Sequence, residues 1–131
     1  MFKIDIIAVG KVKKGPWRDL IEDYESRMKW PLTITEVESK YTDSKTQQAH
    51  EHRLILDRLD PDSFIIVLDE RGDGLRSLDF AKTLEKIRGT GSDKLTFLIG
   101  GAEGFALDVI KIFSELQLFK TQRIFVNRRL P

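Results

Sequence analysis

The stretch Leu95-Thr96-Phe97-Leu98-Ile99-Gly100-Gly101-Ala102-Glu103-Gly104-Phe105 limits what this chain can become. Its first five residues are apolar or β-branched, which suits a buried strand. Three glycines then fall within five positions, and an apolar-periodic run follows from about Ala106 to Leu116. The order strand, glycine turn, helix belongs to an open α/β sheet, in which ligands settle at the carboxyl ends of the strands. Glycine at such a turn lets the backbone take a positive φ and lets a ligand approach without meeting a Cβ. Taken alone, the turn either cradles a cofactor or is a tight connection. It is neither the dinucleotide fingerprint, whose glycine spacing differs, nor a P-loop, since no Gly-Lys-Ser/Thr follows.

The rest of the chain repeats the alternation. Phe2 to Val9 reads as a first strand ended by Gly10. Gly15-Pro16 opens a helix, with proline in the first turn where its missing N–H costs nothing. Trp17, Leu20, Ile21, Tyr24 and Met28 recur at helical spacing and predict an inward apolar face. Leu32 to Val37 alternates as a half-exposed strand, and Ser44 to Leu59 reads as a weakly amphipathic helix. Phe64 to Leu68 is the most apolar strand and is expected to be central. A polar loop is expected over Asp69 to Leu75. Next comes a helix capped by Ser77 and ended by Gly89, with Phe80, Ala81, Leu84 and Ile87 inward. Arg123 to Val126 reads as a short strand in a basic final segment, Lys120 to Pro131, that holds no acidic residue. The fold class is α/β, a parallel-rich sheet with helices on both faces. A length of 131 residues predicts a single domain, 1–131.

Composition excludes several functions. The chain has no cysteine, so disulfides and thiolate metal sites are ruled out. His50 and His52 are two apart on an expected helix and point to different faces, so they read as surface histidines and no metal is expected. No stretch approaches the roughly 18 apolar residues of a membrane span, and the first strand is not a signal peptide, so a cytoplasmic protein without a membrane partner is expected. A net charge of +1 makes any RNA contact a matter of a local patch. Lys11, Lys13, Lys14 and Arg18 form such a patch near the first strand's carboxyl end, as ordinary solvated surface or as phosphate contacts. No serine or cysteine nucleophile arrangement is present, and no general base can be named.

Several segments together carry a resemblance. They are Ile6-Ile7-Ala8-Val9-Gly10-Lys11, Glu22-Asp23-Tyr24-Glu25-Ser26-Arg27-Met28, Leu68-Asp69-Glu70-Arg71-Gly72, Ser77-Leu78-Asp79-Phe80-Ala81 and Phe97-Leu98-Ile99-Gly100-Gly101-Ala102-Glu103-Gly104. In this order and spacing the chain resembles the SPOUT-type methyltransferases that modify N3 of a pseudouridine in 23S (large-subunit) ribosomal RNA. The resemblance runs from Met1 to about Leu118. It implies a SPOUT-type α/β fold with a C-terminal trefoil knot and S-adenosylmethionine as methyl donor. It also implies a homodimer and the 23S rRNA or the ribosome as partner. Carried over residue by residue, it places cofactor contacts at Leu68, at Gly100 and Gly101, and, in a third segment of about Phe119 to Ile124, at Phe119. From Phe119 to Pro131 the residues depart from the family pattern, and the long final helix of that pattern is not reached. The alternative is a truncated or non-catalytic binding module of the same fold.

Overall fold

The structure is a computed structural model that describes residues 2–38, 40–60, 62–100 and 120–124, with the backbone alone described for 69–73 and 120–124. The elements run β1 (Lys3–Val9), α1 (Pro16–Arg27), β2 (Leu32–Val37), α2 (Ser44–Leu56), β3 (Phe64–Asp73), α3 (Ser77–Gly89), β4 (Lys94–Ile99) and β5 (Lys120–Ile124). The strands form one sheet in the order β2-β1-β4-β3-β5, and every described pairing is parallel.

The strands β1 to β4 place side chains in two apolar layers. Ile7, Val37, Ile65, Val67 and Leu98 pack with Ile55 of α2 on one face. Ile4, Ile66 and Leu95 pack with Phe2 and with Ile87 of α3 on the other. The crossovers that step in the same direction along the sheet, β1 to β2 through α1 and β3 to β4 through α3, put their helices on one face. The opposite step from β2 to β3 puts α2 on the other face, as uniform crossover handedness requires. The sheet is therefore covered from both sides, and interior strands can be almost wholly apolar.

Several expectations are corrected. β3 is interior but β4 holds the middle place, because β5 adds a strand beyond β3. The β3 backbone continues to Asp73, so the polar run that reads as a loop is largely strand; there a register irregularity brings both Leu68 and Asp73 opposite Ile124. α2 ends at Leu56 rather than Leu59, where the chain tightens through the Arg58 and Leu59 amides to the carbonyls of Ile55 and Leu56. The cap of α3 is Arg76, and Ser77 is its first helical residue with no side-chain cap bond. Gly89 remains helical, and the left-handed turn falls two residues later at Gly91, φ +91°. Ala81 is exposed. β5 covers Lys120–Ile124, so the expected final strand begins three residues early.

The apolar stripe of α1 departs furthest from its predicted role. None of its residues is buried; Trp17 is 57% and Tyr24 61% exposed. The stripe faces the sheet across a cavity of about 670 Å³, lined from below by Ile4, Ile6, Leu68 and Ile99. Periodicity states which way a helix faces but not how closely it packs.

Candidate active site at the carboxyl ends of the strands

Strand register assembles one row of residues across the sheet near its carboxyl edge. Glu36 of β2 pairs with Ala8 of β1, Ala8 with Ile99 of β4, Ile99 with Leu68 of β3, and Leu68 with Ile124 of β5. Neighbouring strands lie about 4.8 Å apart, so Leu68 and Ala8 stand roughly 10 Å from one another. β1 leaves this edge toward β2, whereas β4 is followed in sequence by β5 on the far side of β3. The gap between β1 and β4 is thus a topological switch point, the place where α/β sheets bind ligands. A cavity of about 350 Å³ opens there, lined by Ala8, Gly10, Lys11, Arg18, Glu36 and Ile99.

Two of the cofactor residues expected from sequence meet in this row. Leu68 lies beside Ile99, and Gly100 is the next residue out of β4. The described left-handed glycines are Gly10, Gly15 and Gly91. Gly101 and Phe119 lie outside the described residues. Along β5, Lys120 is level with Phe64 and only Ile124 reaches the level of Leu68. Within the expected third segment, therefore, the end at Ile124 meets the ligand edge.

The basic patch divides. Lys11, Lys13 and Lys14 are exposed on the loop after β1. Arg18 is half-buried, and its guanidinium is already engaged: Nη2 donates to Glu36 Oε1 at 2.7 Å and Nε to the Val12 carbonyl at 3.0 Å. Glu36 Oε2 accepts the Val12 N–H at 2.7 Å. These bonds hold the Glu36 carboxyl below its ordinary range, Arg18 first and the Val12 amide second. The same pairing raises Arg18. Gly10 bends the chain into this arrangement with φ +100°, after its N–H has closed the ladder to the Val37 carbonyl.

His50 and His52 are half-buried on α2 rather than on the surface, and the His50 ring stands edge-on to Tyr41 at 5.2 Å. Among the described residues, no group of three His, Asp or Glu side chains is placed to hold a metal ion. No described helix is long and apolar enough to cross a membrane.

Sequence reading missed Gly10, Glu36 and Ile99 as site residues. Glu36 did carry a signal. It shares strand parity with Leu32 and Ile34, so it is an acid on an otherwise apolar stripe.

An all-parallel sheet with β4 running out into Gly100 beside a switch point is an α/β arrangement of the kind that binds ligands at its strand ends, and comparison with known proteins narrows the class. The model of the family described as "Predicted SPOUT methyltransferase" matches residues 2–120. The chain belongs to that family. It is 41% identical over 105 residues to the ribosomal RNA large subunit methyltransferase H of Rhodospirillum centenum, covering 79% of this chain and 69% of that one. It is 39% identical over 114 residues to the protein of the same name from Paramagnetospirillum magneticum, covering 86% and 74%. With that of Flavobacterium psychrophilum it shares 35% over 114 residues, covering 82% and 73%.

Proposed function

We propose that this chain is an S-adenosylmethionine-dependent methyltransferase acting on N3 of a pseudouridine in 23S ribosomal RNA. The observation that supports it best is the row Ala8–Ile99–Leu68, with Gly100 at its edge, in a chain of the SPOUT methyltransferase family. That match over 2–120 favours the enzyme over a binding module of the same fold.

The residues present fit the cofactor's chemistry. Leu68 and Ile99 give an apolar wall to a cavity of about 670 Å³, within the usual size of a small-molecule site. Such a wall suits a purine face, and the Gly100 backbone suits its polar edge. Leu68, Gly100 and Gly101 would hold the cofactor, which supplies an electrophilic methyl group when bound. The protein's share is to hold the target base in line and to keep water out. The N3 proton of a uracil-type ring must also leave, which a local positive field favours.

Lys11, Lys13 and Lys14 supply that field and the contacts to RNA phosphate. Arg18 is assigned to the loop's own structure, because Glu36 and Val12 take its Nε and Nη2 donors. From the family's character we further infer a homodimer, a C-terminal trefoil knot, one domain over 1–131 and a cytoplasmic site of action on the ribosome.

The test supplies labelled S-adenosylmethionine with large ribosomal subunits or their free RNA. Label should enter the RNA, and reverse transcription should halt at one pseudouridine, since an N3 methyl blocks the pairing edge. Absence of label from both substrates contradicts the proposal.

A further inference from the structure

We propose that Arg18 and Glu36 are positioning residues for RNA: together they latch the loop of Lys11, Lys13 and Lys14 over the cleft between the carboxyl ends of β1 and β4. This rests on the RNA-methylating reading above.

Glu36 is the more buried member of the pair. Its side chain is only 19% exposed, under α1 and on the apolar stripe of β2. A carboxylate taken this far from water needs partners, and each of its oxygens has one: Oε2 takes the Val12 N–H and Oε1 takes Arg18. Arg18 then reaches back to the Val12 carbonyl through both Nε and Nη2. Both main-chain groups of Val12 are thus gripped, one by each member of the ion pair. Val12 stands between Lys11 and Lys13, whose side chains remain exposed.

Stability is a poor reason for such a pair, since desolvation cancels much of the attraction between part-buried charges. Geometry is a better one. Three lysines within four residues repel one another and would spread if the loop were free. A loop already ordered loses less entropy when phosphates arrive. The latch also sits on the wall of the 350 Å³ cavity at the switch point, so it fixes the loop against the edge where Ile99 leads into Gly100.

The two roles open to Glu36 predict opposite signs. If Glu36 is merely a charge near the RNA, then Glu36→Gln removes a repulsion and tightens binding. If it positions the loop, the same change weakens binding. The test uses the full chain, a short single-stranded RNA containing pseudouridine, fluorescence anisotropy at several salt concentrations, and amide exchange at Val12.

Glu36→Gln should weaken RNA binding about fivefold or more, with the salt slope nearly unchanged because the three lysines remain. Val12 amide exchange should quicken while circular dichroism stays native. Arg18→Lys keeps the charge but loses the planar fork. It should act in the same direction, and it carries the test if Glu36→Gln does not fold. RNA binding that is equal or tighter in both variants, with a freed Val12 amide, overturns the latch and leaves the methyltransferase reading standing. A wild-type chain that binds S-adenosylhomocysteine but no RNA overturns the RNA reading, and the latch with it.

Discussion

At Gly10 the chain leaves β1 with φ +100°, and a Cβ built there would meet nothing within 4 Å. Any cost of Gly10→Ala is therefore conformational rather than steric. We expect a loss of about 1–2 kcal/mol in denaturant unfolding, the usual penalty of a left-handed L-residue. No change in midpoint would mean the loop relaxes to another conformation. Charge at single residues gives a second expectation. The carboxyls of Glu36, Asp43 and Asp60 are all held below their ordinary range, each mainly by hydrogen bonds it accepts. A carboxylate whose pKa is lower folded than unfolded contributes stability above its unfolded value and loses it as pH falls through the folded one. Urea midpoints should thus stay level from about pH 6 to 8 and drop below about pH 4. A midpoint that rises on acidification would contradict the pairings. Residue-scale features were the least legible in sequence. Leu68 is an expectation from the family resemblance, and Gly100 one from its turn at the end of an apolar strand. Val12 was invisible, because its importance lies in main-chain groups that any residue carries.

Elements were legible where side-chain period and burial coincide. β1, β2 and β4 match their sequence patterns within a residue at each end, because alternation between two packed layers admits one register only. Leu98 of β4 is fully buried between strands and α2. Leu98→Ala should cost about 2–5 kcal/mol in unfolding free energy, the range for a leucine deleted from a filled core. A loss under about 0.5 kcal/mol would mean this layer is loosely packed. The start of α2 depends on Asp43, whose side chain accepts the Thr46 N–H at 2.9 Å. Asp43→Ala should destabilise by about 0.5–2 kcal/mol and lower helix content by circular dichroism. An unaltered spectrum and midpoint would show that the cap is idle. Where period and burial part company, the reading fell short. The stripe of α1 was read correctly as a stripe, but only the fold shows that it stands off from the sheet. The polar run after Leu68 looked like a loop because strand propensity is weak there. Its backbone rejoins the ladder at Asp73, opposite Ile124, a long-range pairing no local window contains.

For the whole molecule, the order β2-β1-β4-β3-β5 puts the strand ends of β1 and β4 side by side with their chains leading apart. That arrangement joins an apolar row, Gly100 and a lysine loop on one edge of the sheet. The alternation of strands and helices predicted the α/β class. The neighbours of each strand, and hence the switch point, follow from tertiary pairing. With a net charge of only +1, any RNA attraction must come from a local patch and not from the whole surface. The central claim is that this edge is a working cofactor site. Calorimetric titration of the chain with S-adenosylhomocysteine, repeated with Gly100→Val, tests it most directly. The account predicts micromolar binding near one ligand per chain, lost in Gly100→Val while circular dichroism stays native. No heat at several temperatures, or equal affinity in the folded Gly100→Val chain, would contradict it.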